Sequence, residues 1–361
     1  MSNALGNSYR VQIFGQSHSP MIGAVIEGLP AGIVPDMAFI SAFMARRAPG
    51  SGRLSTARRE ADAPQIIAGL NERGETCGAP LCAVIANSDA RSQDYDALRD
   101  VPRPGHADYT AYVKFGGHND IRGGGQFSGR LTAPLCFAGA LALQLLEKRG
   151  VRVRARVKRI ADIEDAAVSL ANPPLDAICD GELPCVDPEA AKRMAEAIEA
   201  ARAEGDSVGG VVECFATGLP AGLGEPMFDG VENRVARALF GIPAVRGVEF
   251  GLGFAAAAMR GSEHNDPFAA SEGAVRTRTN HHGGALGGIT SGMPLVVRAA
   301  FKPTPSISRE QASVSLSRGE NAPLAVRGRH DPCVVPRAVP CVEAAVACAL
   351  LDLMMEVSPW N

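Results

Sequence analysis

The sequence predicts an α+β chain of two packed sheets with helices, and three observations carry that reading. Strands and helices follow one another irregularly, without the βαβ alternation that builds a parallel sheet. The pentapeptide GLPAG occurs twice, at Gly28–Gly32 and Gly218–Gly222, each time straight after a strand. Five residues make a short repeat, but the shared context points to two halves on one strand-and-turn plan. No Ser/Pro/Gly-rich or like-charged linker divides the chain, so a single domain over residues 6–360 is expected.

In chain order, Tyr9 to Phe14 reads as a strand, with Val11 and Ile13 on one face. Ser2-Asn3-Ala4 has the look of a cloning remnant and is set aside from the fold. A second strand, Ile22 to Glu27, ends in the first GLPAG. Asp36 can cap a helix whose Met37, Ile40, Phe43 and Met44 recur at helical spacing. That helix stops near Arg46-Arg47, before the basic loop Pro49-Gly50-Ser51-Gly52-Arg53. Short strands follow at Gln65–Ala68 and Leu81–Ile85. A helix from Thr132 to Arg149, apolar on nearly every face, should be buried and should stop at Gly150. Val151 to Lys158 alternates apolar and basic residues, a strand with one solvated basic face. Asp187-Pro188 opens a helix ended by Gly205, and a strand from Val208 to Ala216 meets the second GLPAG. Further elements are expected at Asp229–Phe240 (helix), Gly247–Gly251 (strand), a strand before Lys302, and a final helix over Cys341–Val357.

The totals describe an ordinary soluble protein: 361 residues, 46% hydrophobic and 21% charged. No apolar run is read as reaching the length of a membrane span, and no charged-then-apolar leader opens the chain. A cytoplasmic protein without membrane attachment is expected. The net charge of −3 argues against a nucleic-acid partner. Nine cysteines, with no CxxC, read as reduced and mostly buried thiols rather than a zinc site. Of 36 basic residues only five are lysine, at 114, 148, 158, 192 and 302. Arginine's planar fork grips phosphates and carboxylates through two bonds, so clustered arginines carry weight.

Polar chemistry collects in four segments: Gly15–Pro20, Arg103–Arg130, Asn280–Ser306 and Gly328–Arg337. Arg103–Arg130 shows no apolar periodicity but crowds His106, Lys114, His118, Arg122, three consecutive glycines and Arg130 together. It reads either as a site lining or as a solvated surface loop. His18 and His106 are the acid–base candidates, since histidine titrates nearest neutral pH. His281-His282 is a weak metal candidate, because neighbours on an extended segment point apart and no carboxylate lies at ligand spacing. No metal is expected. Asp331, beside His330 and Arg329, reads as a base or orienting acid, or as a salt-bridged loop residue. Lys302 could hold a phosphate or a flavin edge, or lie on the surface. There is no GxGxxG after a strand and no GxxxxGK[ST], so no Rossmann or P-loop nucleotide site. The residues alone reach an anion-binding enzyme with histidine acid–base groups.

FGQSH at Phe14–His18, RPGHADYT at Arg103–Thr110, RGGG and then SxR within Arg122–Arg130, GGITSG at Gly287–Gly292, KPTPSIS at Lys302–Ser308 and GRHDPCVVPRAVP at Gly328–Pro340 resemble, in the same order, the signatures of the chorismate synthase family. The resemblance runs over nearly the whole chain. It implies a β–α–β sandwich of two mainly antiparallel sheets with helices between, pseudo-duplicated, and a homotetramer. It implies 1,4-elimination of phosphate from 5-enolpyruvylshikimate 3-phosphate to give chorismate, using reduced FMN with no net redox change. By the same resemblance His18 protonates the departing phosphate, His106 serves the reduced flavin, and Asp331 works in deprotonation. Ser17, Arg47, Arg53, Arg103, Arg130 and Arg329 would hold the substrate. Gln126, Phe127, Ser128, Ala244, Gly287, Lys302, Pro303, Thr304, Pro305, Ser306 and Arg329 would hold the flavin.

The chain also departs from the family pattern. GQSHS stands for the usual GESHG, Gln126 for an arginine, Phe127 for a serine and Pro243 for a frequent asparagine. An active enzyme with altered flavin or substrate affinity is expected; the alternative is a flavin- or anion-binding homologue without turnover. Direct reduction of FMN by NADPH (or NADH) lacks a dinucleotide fingerprint, so an external flavin reductant is expected.

Overall fold

The structure, a computed structural model, describes residues 3–50, 54, 60–88, 98–271, 273–326 and 331–357. Sheet one comprises β1 (Ala4–Leu5), β2 (Arg10–Phe14), β3 (Met21–Glu27), β4 (Pro64–Ala68) and β5 (Leu81–Ala86), with α1 (Met37–Arg47) between β3 and β4. Next come α2 (Asp108–Phe115) and α3 (Thr132–Lys148). Sheet two begins with β6 (Arg152–Ile160), β7 (Ile163–Glu164), β8 (Gly210–Thr217) and β9 (Val245–Phe250), interleaved with α4 (Pro188–Ala203) and α5 (Val231–Phe240). After α6 (Gly261–His264), β10 (Phe268–Ser271) pairs with β11 (Ala274–Thr277), and β12 (Ala285–Leu286) with β13 (Ile289–Thr290). β14 (Leu295–Phe301) completes sheet two, β15 (Gln311–Ser315) and β16 (Glu320–Leu324) form a hairpin, and α7 (Val335–Val357) ends the described chain.

The strand orders are β1-β2-β3-β5-β4 and β7-β6-β8-β14-β9, antiparallel throughout. α3 packs on β2, β3 and β5 and also against α7, which covers β6 and β8. The two helices are therefore the middle of a sheet–helix–sheet sandwich, as the α+β reading expects. The repeat is structural: each GLPAG leaves the central strand of its sheet, β3 or β8, and leads towards a helix, α1 or α5. Gly28 and Gly218 both have left-handed φ, +84° and +80°. A Cβ there would strike the carbonyl of Ser8 or Gly150, each two residues before the neighbouring strand. Glycine is needed at both corners for the same reason.

Most predicted boundaries stand within two residues, and their causes are visible. Asp36 accepts from the Ala38 and Phe39 N–H groups (3.0 Å each), and Asp187 caps α4 from Glu189. Gly150 turns left-handed, φ +76°, after α3. Five expectations are corrected. Ala4 belongs to the fold, because Ala4 and Leu5 pair with Gln12 and Val11. The stretch after His106 is helical, α2, its start favoured by Asp108 in the first turn. The final helix begins at Val335, six residues early: Pro336 fits a first turn, and Pro340 is accommodated inside the helix.

The fourth correction concerns the basic face of β6. Arg156 is buried and donates to Glu213 (2.9 and 2.7 Å) and Asp165 (2.7 Å). The β6–β8 register sets Glu213 directly opposite Arg156, and such cross-strand pairs are close enough to desolvate together. By length and composition 129–148 and 335–357 are apolar enough to cross a membrane, contrary to expectation; both are largely buried here, as the sandwich requires. Their contact is tightest at Gly139, where an added Cβ would collide with the Cα and Cβ of Ala344. Gly139→Ala gains helix propensity of about 1 kcal/mol. Overpacking against backbone outweighs it, with about 1–3 kcal/mol lost. A lowered urea midpoint is the expected result; a raised one would show that the helices can part without cost.

Candidate active site

Two loops and one helix start build the first wall. Asp108 opens α2, and its carboxylate turns back to accept the Arg103 backbone N–H (3.1 Å), Arg103 Nε (2.7 Å) and Arg103 Nη2 (2.8 Å). The same carboxylate lies 2.6 Å from His106 Nδ1. Burial alone would raise the Asp108 carboxyl, but the bonds from Arg103 and His106 outweigh it and hold it well below the usual carboxylate range. An ionised acid at Nδ1 assigns that nitrogen the proton and leaves Nε2 to serve a ligand. Gly123, Gly124 and Gly125 follow with φ of +60°, +84° and +55°. A Cβ on Gly123 would strike Ser17 and His18, and one on Gly124 would come within 3.3 Å of His106 Nε2. The glycines are thus the thin partition between the two candidate histidines. Gly125 C=O also accepts from Ser17 N–H at 3.1 Å.

The second wall is a pair of arginines on one acid. Arg47, the last residue of α1, donates from Nε to Asp62 Oδ2 at 2.7 Å, and Arg130 Nη1 donates to Asp62 Oδ1. All three are buried. Arg130 also reaches Asn87 Oδ1 (2.8 Å), and Arg47 reaches Thr132 Oγ1 (3.2 Å). From α7, Arg337 donates to the Arg47 carbonyl (2.9 Å) and to Asp331 Oδ2 (2.5 Å). Burial pulls the Arg130 and Arg337 guanidiniums down from their usual values, against the pull of Asp62 and Asp331.

Between the walls lies a cavity of about 730 Å³. Arg47, Arg103, Arg130, Arg246, Arg337 and Lys302 line it, and Asp331 is the only acid among the lining residues described. His106, Gln126, Phe127, Ser128, Ala244, Thr304, Pro305 and Ser306 line it too. Ser306 Oγ accepts from Arg103 Nη1 (3.0 Å), and Lys302 Nζ donates to the Gly105 carbonyl. Burial, then Arg246, lowers the Lys302 ammonium. Ala244 holds φ +74°, a strained conformation for a side-chain residue. Its carbonyl accepts from Lys302 N–H (3.0 Å), which aligns that segment.

Ser17 and His18 lie behind Gly123 and do not line the cavity directly; Pro303 and Gly287 do not line it either. Arg53, Arg329 and His330 fall outside the described residues. The His281-His282 reading also changes, because a carboxylate does accompany the pair. Asp266 accepts both backbone N–H groups (2.8 and 2.9 Å) and pairs with His282 Nδ1. Asp266 staples this turn, and no metal-ligand cluster occurs among the described residues. Sequence reasoning missed Asp62, Asp108 and Arg337 as site residues. Asp108 and Arg337 stand inside quoted motifs, while Asp62 carries no local signal; it has a left-handed φ of +48° and meets Arg47 and Arg130 only in the folded chain.

Comparison with known proteins agrees with this geometry. A family model described as chorismate synthase matches residues 9–355. The chain is 51% identical to a chorismate synthase of Thermococcus gammatolerans over 349 residues, covering 97% of this chain and 96% of that one. It is 48% identical to one of Thermococcus kodakarensis, with 99% and 98% covered. A solved structure titled as the crystal structure of chorismate synthase superposes with a TM-score of 0.76 at 29% identity, over 98% of this chain and 93% of that one.

Proposed function

The chain belongs to the chorismate synthase family, and on that premise we propose how its own residues carry the family's reaction. It is a lyase that eliminates phosphate from 5-enolpyruvylshikimate 3-phosphate to give chorismate. One observation supports the site assignment above the rest: among the described residues, six cationic side chains and one acid line a single cavity. The substrate carries a phosphate and two carboxylates, which such a lining matches in sign and number. Arg47 and Arg130, tied to Asp62, and Arg103, tied to Asp108, are already ordered, so binding does not have to immobilise them. Arg53 and Arg329 are proposed to join them on the resemblance.

On the resemblance His18, set behind Gly123 at the edge of the cavity lining, is the proposed acid for the departing phosphate. Ser17 lies beside it, with a buried hydroxyl that has no partner among the described residues and suits an oxygen acceptor. Asp331, oriented by Arg337, is proposed to act in the deprotonation. Reduced FMN is proposed to lie along the stretch of the cavity lining that carries Lys302, Thr304 and Ser306. Thr304 Oγ1 is buried there without a protein partner among the described residues, beside the Lys302 cation and the Ser306 hydroxyl. Gln126, Phe127, Ser128, Ala244, Lys302, Thr304, Pro305 and Ser306 would hold it, with Gly287, Pro303 and Arg329 added on the resemblance. Held there, reduced FMN would supply transient electron density for the elimination with no net redox change. His106 keeps a proton on Nδ1 towards Asp108 and offers Nε2 to the flavin side.

The test is anaerobic phosphate release from the substrate with chemically reduced FMN, run beside an FMN titration. Turnover is expected, and tight FMN binding without phosphate release would overturn the reading. His106→Ala should lower turnover about 10²- to 10⁴-fold with an unchanged circular dichroism spectrum; wild-type rates would remove His106 from the mechanism. An external reductant is also proposed, and anaerobic turnover with NADPH as sole reductant would contradict it. A homotetramer is proposed on the resemblance and on the large exposed side chains of Met227, Phe228, Phe254 and Phe268. Light scattering giving a monomer mass would reject it.

A further inference from the structure

We propose that Cys341 is a peroxide-reactive thiol of the cavity wall, and that Cys136 resolves it to a disulfide joining α3 to α7. The two helices are in direct contact, and the Sγ atoms lie 3.8 Å apart. A disulfide needs about 2.05 Å, so the sulfurs must close by roughly 1.8 Å within that contact.

The thiols are not equivalent. Cys341 lines the cavity with Arg47 and Arg337, whereas Cys136 is fully buried behind it. Peroxide entering the cavity meets Cys341 first. Cys136 S–H donates to Cys341 Sγ, and Cys341 in its thiol form donates to the Arg337 carbonyl (3.3 Å). The bond from Cys136 lowers the Cys341 thiol from its usual value, burial opposes this, and Arg47 adds to the lowering. Burial pushes Cys136 well up, as it does Cys185, Cys214, Cys333 and Cys348. Among the buried cysteines Cys341 is the one moved towards the reactive thiolate.

The chemistry balances with hydrogen peroxide as oxidant. The Cys341 sulfur attacks one peroxide oxygen, the O–O bond breaks, and the leaving hydroxide takes up the thiol proton as water. Cys341 is then a sulfenic acid. The Cys136 sulfur displaces its hydroxyl, which leaves with the Cys136 proton as a second water. Two thiols lose two electrons and one peroxide becomes two waters. The disulfide draws the Cys341 sulfur inward, away from Arg47 and Arg337, and so disturbs the anion-binding wall.

Peroxide treatment of the full chain, followed by peptide mass mapping and phosphate-release assays, tests this. The wild type should yield a Cys136–Cys341 cross-linked peptide lighter by two hydrogens, and lose turnover about 10- to 100-fold. Dithiothreitol should restore it. Cys136→Ala should stop at the sulfenic acid, trapped on Cys341 by dimedone. Cys341→Ala, or Cys341→Ser should the alanine variant not fold, should leave Cys136 unmodified and turnover insensitive to peroxide. Oxidation confined to the exposed Cys77 and Cys179, or equal peroxide sensitivity without Cys341, would overturn the proposal.

Discussion

Asp62→Ala is expected to lower phosphate release by about 10²- to 10³-fold. One carboxylate holds two guanidiniums from separate elements, Arg47 at the end of α1 and Arg130 before α3. Without it two buried cations face each other with only Glu60, 3.7 Å from Arg130 Nη2, left to offset them, and each loses the bond to Asp62 that orders it. Removing one partner of a buried pair costs about 3–5 kcal/mol, so the variant should also denature at lower urea. Asp62→Asn separates the two roles, since it keeps an acceptor of the same size but no charge. If ordering matters most, Asn should restore most of the stability and part of the turnover. Wild-type turnover in Asp62→Ala, at whatever stability, would mean that the arginines are aimed by other groups.

Asp108→Asn should lower turnover by about 10²-fold or more, because the amide can donate to His106 Nδ1 and place the proton on the wrong nitrogen. It also breaks the fork of bonds to Arg103. The Asp108 carboxyl is depressed in the folded state, so its stabilising contribution is fully present above its unfolded value, about 3.9, and is lost as pH falls through the lower folded value. The stability gap between wild type and Asp108→Asn should therefore be complete at pH 7 and shrink below about pH 4. Urea denaturation at both ends of that range measures it. A gap that widened in acid would reverse the assigned sign.

Elements with a local cause were legible. Asp36 and Asp187 announce their helices because capping needs only the next three residues. GLPAG marks both central strands because the corner glycine is required by one nearby carbonyl. α3 is apolar on nearly every face and is buried over most of its length, down to its exposed last turn at Glu147 and Lys148. The sequence places the start of the final helix too late because prolines at 336 and 340 look like breakers locally, while the packed sandwich holds them in the helix. In the sequence Arg156 looks solvated because its partner Glu213 is 57 positions away and only the β6–β8 register brings it opposite.

The site divides along the same line. His18, His106, the triple glycine, Lys302 and Asp331 stand in ordered motifs, so residue type and neighbours were enough to single them out and to indicate an anion-handling enzyme. That Gly123 and Gly124 separate the two histidines depends on left-handed backbone at both. That Arg47 and Arg130 form one unit depends on Asp62, 15 and 68 positions distant in the chain. Short-range chemistry is written into the order of residues, because caps, turns and motifs act over a few bonds. Which acid steadies which arginine, and which thiol touches which, follows from two sheets closing on two helices, where charges far apart in the chain share one desolvated space.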